Sequence, residues 1–233
     1  MRITSSVLRG LSVSALTVAS MSFAVSSYAL SPFEATYQFT YGNKNMGDAT
    51  RKLSQNKNVW QYSFIAKIPL VGSATETSTF GFNQGQIESQ SYRRQTKILV
   101  HNDTVKMDFK PAQKQILTNR KKTDRVLTWK AGVLDDLNAE LQVREDLKAG
   151  GLKSSYLIAD YKEVEGRQFI KEGTENVKAA DGKTYSTVKV RLKHAKATKS
   201  TIFWLAPNLD YLPVKVTHTD KDNSYGLLLK ATK

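Results

Sequence analysis

FEATYQFTY, residues 33–41, alternates without a break. Phe33, Ala35, Tyr37, Phe39 and Tyr41 share one parity, while Glu34, Thr36, Gln38 and Thr40 share the other. A period of two with an aromatic face is the pattern of a half-buried β-strand. Gly42, Asn43, Lys44 and Asn45 then supply turn chemistry. The same alternation returns downstream. Trp60, Tyr62 and Phe64 share a parity; so do Val105, Met107 and Phe109, and again Val188, Val190 and Leu192. Thr201–Leu205, Pro213–Thr219 and Tyr225–Lys230 read as further strands. Gly81, Gly85, Gly132, Gly166, Gly182 and similar turn residues punctuate them at the short spacing of antiparallel hairpins.

One segment breaks this rhythm. Leu134, Leu137, Leu141 and Leu147 lie near helical spacing, Asp135 and Asp136 precede them where a helix dipole favours acids, and Gly150–Gly151 follow as a stop. The pattern predicts one α-helix over about 135–148. The expected fold is mainly β: a single curved antiparallel sheet, half-barrel or barrel-like, with the helix plugging or covering one opening. The aromatic faces favour strong curvature with bulky filling on the concave side.

Residues 1–29 read as a cleaved signal peptide. Arg2 and Arg9 form a basic start, Gly10–Val25 is apolar and small, and Ser27 and Ala29 occupy the positions that signal cleavage requires. The expected mature domain, a single mainly-β unit over 30–233, is periplasmic, and after cleavage nothing in it spans a membrane. The full chain carries 35 Lys+Arg against 21 Asp+Glu, a net charge of +14, and no cysteine. The absence of cysteine excludes disulfides and thiolate chemistry. Export removes nucleic acid from the partner list. The surplus charge points to an anionic envelope lipid or glycan, or to an envelope protein.

The block Thr201–Val216, with Trp204, Leu205, Ala206 and Pro207 followed by Tyr211, Leu212, Pro213 and Val214, resembles the signature of the family known as DUF 3108. The opening at Pro32–Tyr37, Gly47, the segment Leu141–Leu147 and the strand at Val188–Val190 are similar to that family in matching places. The resemblance implies an exported, mainly-β protein of Gram-negative bacteria without an established activity, and it carries no catalytic residues. Taken physically, Pro207 and Pro213 bracket a tight loop that pins a hairpin.

Enzyme chemistry finds little foothold. There is no Gly-x-Ser-x-Gly elbow and no phosphate-binding loop, and Val71–Ala74 is only a loop of small residues. The three histidines lack metal-site spacing, although His194 and His218 could meet near one end of the sheet. Glu175 could be a buried acid. No metal, cofactor or catalytic residue is expected. The leading expectation is a non-enzymatic binding or carrier module for an apolar or amphipathic, anionic envelope ligand. Tyr37, Phe39, Trp60, Tyr62, Phe64 and Trp204 are its lining candidates. Lys189, Arg191, Lys193 and Lys215 would form an anion-facing patch, with further basic density at Arg93–Lys97 and Arg120–Arg125. The alternative is an envelope interaction or scaffold protein without a small-molecule ligand.

Overall fold

In the computed structural model the described residues are 30–42, 44–221 and 223–233, so the signal peptide expected over 1–29 lies outside them. The first eight strands are β1 (Phe33–Tyr41), β2 (Lys44–Asn56), β3 (Val59–Ile68), β4 (Gly72–Asn83), β5 (Gln86–Ile98), β6 (His101–Lys110), β7 (Gln115–Arg120) and β8 (Thr123–Thr128). Helix α1 (Asp136–Lys148) and a short hairpin of β9 (Tyr156–Ala159) and β10 (Val164–Arg167) follow. The chain then returns through β11 (Phe169–Lys178), β12 (Thr184–Leu192), β13 (Lys199–Ala206), β14 (Leu212–Asp220) and β15 (Asn223–Thr232).

Thirteen strands make one antiparallel sheet in the order β11-β12-β13-β14-β15-β1-β2-β3-β4-β5-β6-β7-β8. The sheet is not closed. Every neighbour pair is a sequence hairpin except β15 and β1, which meet mid-sheet with Tyr37 opposite Leu229 and Phe39 opposite Leu227. The predicted helix is present almost to the residue. Asp135 is its N-cap, accepting the Asn138 N–H at 3.0 Å. Pro213 sits where β14 pairs with β13 but not yet with β15, whose register starts at Lys215 opposite Leu228. The missing proline N–H therefore costs no ladder bond on that side.

The helix lies inside the curve of the sheet rather than over an opening, and Leu137 through Leu147 are all buried. Because hairpins alternate ends, the tips at Lys57, Gln84, Lys114 and Asp210 share one end with the helix C-terminus: Gln142 donates to Gly85 O at 2.9 Å and Arg144 to Asp210 O at 3.2 Å. The helix N-terminus points toward the other end. β9 and β10 fill the interval between the outer strands. Tyr156 packs edge-on to Phe169 of β11, and Thr118 of β7 donates to Tyr161 O at 2.9 Å. Val71–Ala74, expected as a loop, is largely the start of β4.

Candidate functional site

On the concave face exposure changes along the strands. Toward the filled end Tyr37, Ala49, Tyr62, Phe80 and Met107 are fully buried against α1 and its neighbours. Trp60 stacks on Phe80 at 6.5 Å. Three lining candidates, Tyr37, Trp60 and Tyr62, are thus covered by protein. Toward the other end the same face opens: Phe39, Phe64, Ala74, Glu76, Arg94 and Thr96 are all partly exposed. This open half is a recess whose floor is the N-terminus of α1.

Its floor rests on a polar network within the filled half. Arg51 Nη1 meets Glu140 Oε2 at 2.5 Å and donates to Tyr62 Oη at 2.8 Å, while the Tyr62 hydroxyl donates to Glu140 Oε1 at 2.9 Å. Burial works most strongly against the Arg51 charge, but Glu140, Tyr62 and Tyr37 together outweigh it and hold the guanidinium protonated. Burial pushes the Tyr62 phenol up to about 12. Beside this triad Asp135 accepts from Ser78 Oγ at 2.5 Å, Ser89 Oγ at 3.2 Å and Asn138 Nδ2 at 2.9 Å. Burial raises its pKa to about 7 despite these donors.

The recess has two unlike walls. On the β12–β3 side stand Leu192, Phe39, Phe64 and Tyr225, with Phe39 stacked on Tyr225 at 6.3 Å. His194 and His218 belong to this wall. Thr201, on the strand between theirs, hydrogen-bonds both imidazoles at 2.8 and 2.7 Å. Burial lowers both histidine pKa values, His218 adding to the effect on His194 and Lys199 to that on His218. Among the described residues no group of three potential ligands surrounds a metal position.

The β4–β7 side is charged. Glu76 accepts the Tyr92 hydroxyl at 2.6 Å, and Arg94 lies 3.6 Å from Asp103, which accepts Arg120 Nε at 2.9 Å. Arg167 spans Asp136 at 3.0 Å and Glu165 at 2.6 Å. Asp136 keeps 45% of its side-chain surface, yet surrounding protein excludes enough water to raise its pKa. Glu76 is raised by burial, Tyr92 offsetting part of it. The Tyr225 phenol is raised by burial and then by the charge of Glu76, so the two walls sense one another.

Two expectations are corrected. Trp204 lies on the convex face, in register with Lys189 and Lys215, where the ammonium groups sit 5.5 and 4.5 Å from its ring. It is nearly buried beneath their stems, and its Nε1 donates to Glu175 at 3.0 Å. Glu175 itself is exposed, not buried. The convex patch is partly neutralised: Lys189 lies 3.9 Å from Glu172 and 3.8 Å from Glu175, and Arg191 pairs with Glu172. Lys193 reaches Gln168 at 3.4 Å. Arg93 and Arg94, adjacent in sequence, face opposite sides: Arg93 binds Asp108 outside at 2.6 Å.

A cavity of about 220 Å³ opens at the filled end, between Leu30, Phe33, Leu141, Arg144 and Leu212. No helix among the described residues is long and apolar enough to cross a membrane.

The fold has a solved counterpart. A crystal structure of a beta-barrel-like protein of the domain of unknown function DUF1849 from Brucella abortus is similar, with a TM-score of 0.54 and 12% identity. The match covers 87% of this chain and 97% of that one, and at this identity it speaks for the fold alone. No curated protein matches. A family model described as "Protein of unknown function (DUF3108)" matches residues 36–230, from the first strand to the last, and the chain belongs to that family.

Proposed function

We propose that this chain is an exported, non-enzymatic binding or carrier module of the periplasm, taking an amphipathic envelope ligand into the recess above α1. One observation carries the reading: on the open half of the concave face, partly exposed aromatic side chains at Phe39, Phe64 and Tyr225 lie on one side and Arg94, Arg120 and Arg167 on the other. An apolar tail is served by the first wall and an anionic group by the second. The arginines are held by Asp103, Asp136 and Glu165, so a ligand anion enters by exchanging with these carboxylates. Burial raises the Asp136 pKa, whereas the hydrogen bond from Arg120 holds Asp103 low, so the exchange is easier at Arg167 than at Arg94 and Arg120.

The test is native mass spectrometry of the protein purified from a Gram-negative host, paired with displacement of a fluorescent fatty-acid probe. Retained lipid, or probe binding weakened about tenfold or more by Phe64→Ala and by Arg94→Ala, is the expected result. A chain that carries no lipid and binds no probe ends the carrier reading.

A second reading, an envelope interaction or scaffold protein without a small ligand, is supported by the sheet's edge. β8 ends the sheet, and Leu117 and Val126 form an exposed apolar pair beside that edge. Crosslinking from position 126 in the host distinguishes the two: a single reproducible protein adduct together with an empty recess favours the scaffold.

A further inference from the structure

Hairpin tips at the two ends of the sheet carry different residues in the same backbone conformation. At the filled end the left-handed non-glycine positions among the described residues belong to Lys57, Gln84, Lys114, Asp210 and Tyr211, none of them aliphatic. At the open end two of them belong to Leu70, φ 62°, and Leu99, φ 50°. That conformation disfavours a side chain with a Cβ, and Gly, Asn or Asp are its usual occupants in hairpins. Leucine there gains nothing in exchange from the protein. Leu70 is 100% exposed, Leu99 75% and Val100 87%. The two tips form one unit, since the Leu99 N–H donates to Val71 O at 2.9 Å.

The position of the tips is also enforced. A Cβ on Gly72 would stand 1.9 Å from Lys97 O, and one on Gly47 2.2 Å from Lys67 O. Only glycine allows β2, β3, β4 and β5 to close up this tightly beneath the tips. The apolar point is therefore built into the sheet.

Lysines surround it. Lys67 and Lys97 flank the Leu70 and Leu99 tips and are exposed, as are Lys121 and Lys122 at the next tip. Across the mouth the tips between β12 and β13 and between β14 and β15 present Lys193, Lys196 and Lys221. The acids at this rim have partners of their own among the described residues: Asp48, opposite Lys67, binds Lys230 at 2.6 Å, Asp220 is 3.3 Å from Lys199, and Asp124 accepts from Asn119. Asp222 also belongs to this end in sequence and lies outside the described residues.

The geometry points to the open mouth as the surface that seats this protein on an anionic lipid bilayer, with Leu70, Leu99 and Val100 entering the interface and the surrounding lysines meeting headgroup phosphates. A few apolar side chains that project singly, inside a cationic ring, match the layered chemistry of a bilayer surface, with charge outside and hydrocarbon beneath. A protein partner would instead call for a continuous apolar area. Seating requires no cargo in the recess and so stands apart from the carrier reading.

Vesicle co-sedimentation of the chain beginning at Leu30 tests it, using phosphatidylcholine vesicles with and without phosphatidylglycerol. Binding is expected on the anionic vesicles only, falling as salt rises. Leu70→Ser with Leu99→Ser should lower the partition coefficient about tenfold or more, and Lys121→Glu with Lys196→Glu should do the same. The convex pair Lys189→Glu with Lys215→Glu should change it little. Because the tips are exposed, the variants should keep the wild-type circular dichroism and melting temperature, which excludes unfolding as the cause. In a Leu99→Trp variant the new indole's emission should blue-shift on anionic vesicles and be quenched by brominated acyl chains. Membrane seating is overturned by no vesicle binding, by binding indifferent to the leucine pair, by an indole at position 99 that escapes quenching, or by equal losses from convex and rim lysines.

Discussion

Arg51 and Glu140 join the sheet to the helix through two side chains that keep only 7% and 9% of their surface. Their attraction offsets a large desolvation cost, so the pair matters chiefly when it is broken. Glu140→Leu leaves a buried guanidinium without its carboxylate and should cost about 3–5 kcal/mol in urea unfolding. Arg51→Met with Glu140→Leu should recover most of that loss. A double variant as unstable as the single one would contradict the account. Asp135 gives a second residue-scale expectation. Its folded pKa of about 7 lies above the ordinary 3.8, so the folded chain binds the proton more tightly than the unfolded one. Its contribution is therefore complete below about pH 4 and is lost as pH rises toward 7, at about 1.4 kcal/mol per unit of separation. Asp135→Asn should flatten that decline in pH-dependent melting. The new amide finds an acceptor because Asn138 Oδ1 has no protein partner and Asn138 can turn to present it. A wild-type decline that persists in the variant would place its origin elsewhere. The helix pattern marks Asp135 only as a helix-start acid and passes over Glu140, yet for Arg51 a signal exists: it shares its parity with Ala49 and Leu53, on the face that becomes core.

Among the elements, α1 shows both what the sequence makes legible and what it hides. The leucine spacing and the Asp135 cap mark its boundaries nearly to the residue. Its surroundings are hidden, because the leucine spacing says nothing of Asn138, Glu140, Gln142 and Asp146, which are all buried. Each finds its partner on a distant strand: Gln142 accepts from Ile87 N at 2.8 Å, and Asp146 from Tyr156 Oη at 2.8 Å. Periodicity reports which residues share a face, not what that face meets. The same limit applies to the aromatic stripe, whose members divide between filled core, open recess and, for Trp204, the far side of the sheet. The hairpin tips are the other decisive elements. Gly72→Ala should destabilise the chain by about 1–3 kcal/mol, since its methyl group must push Lys97 O aside. Leu70→Asn should do the opposite, leaving stability unchanged or slightly improved, because asparagine tolerates the left-handed turn. Chemical denaturation of both variants checks the contrast.

For the whole molecule, the proposed export, the partly exposed end of the concave face and the basic, apolar rim fit one picture. On the convex face Lys189 and Arg191 are matched by Glu172 and Glu175, and the recess arginines by their own carboxylates. Part of the remaining surplus sits at the mouth, at Lys67, Lys97, Lys121, Lys122, Lys196 and Lys221. Strand order is only partly legible: local hairpins follow from turn residues, but nothing in the alternation says that β15 should pair with β1. That junction has a consequence for how the chain finds its fold. With β1 and β15 side by side, and Glu34 and Lys233 exchanging backbone hydrogen bonds at 2.9 and 3.0 Å, the sheet is one uninterrupted meander that happens to be cut in its middle. Joining residue 233 to residue 31 and reopening the chain between β8 and α1 would give a circular permutant whose thirteen sheet strands are all nearest neighbours in sequence. The most distant pairing becomes a local one, contact order falls, and refolding should accelerate while the melting temperature stays close to that of the parent. Stopped-flow refolding of the permutant would show whether the waiting time of this protein is the time its last strand needs to reach its first.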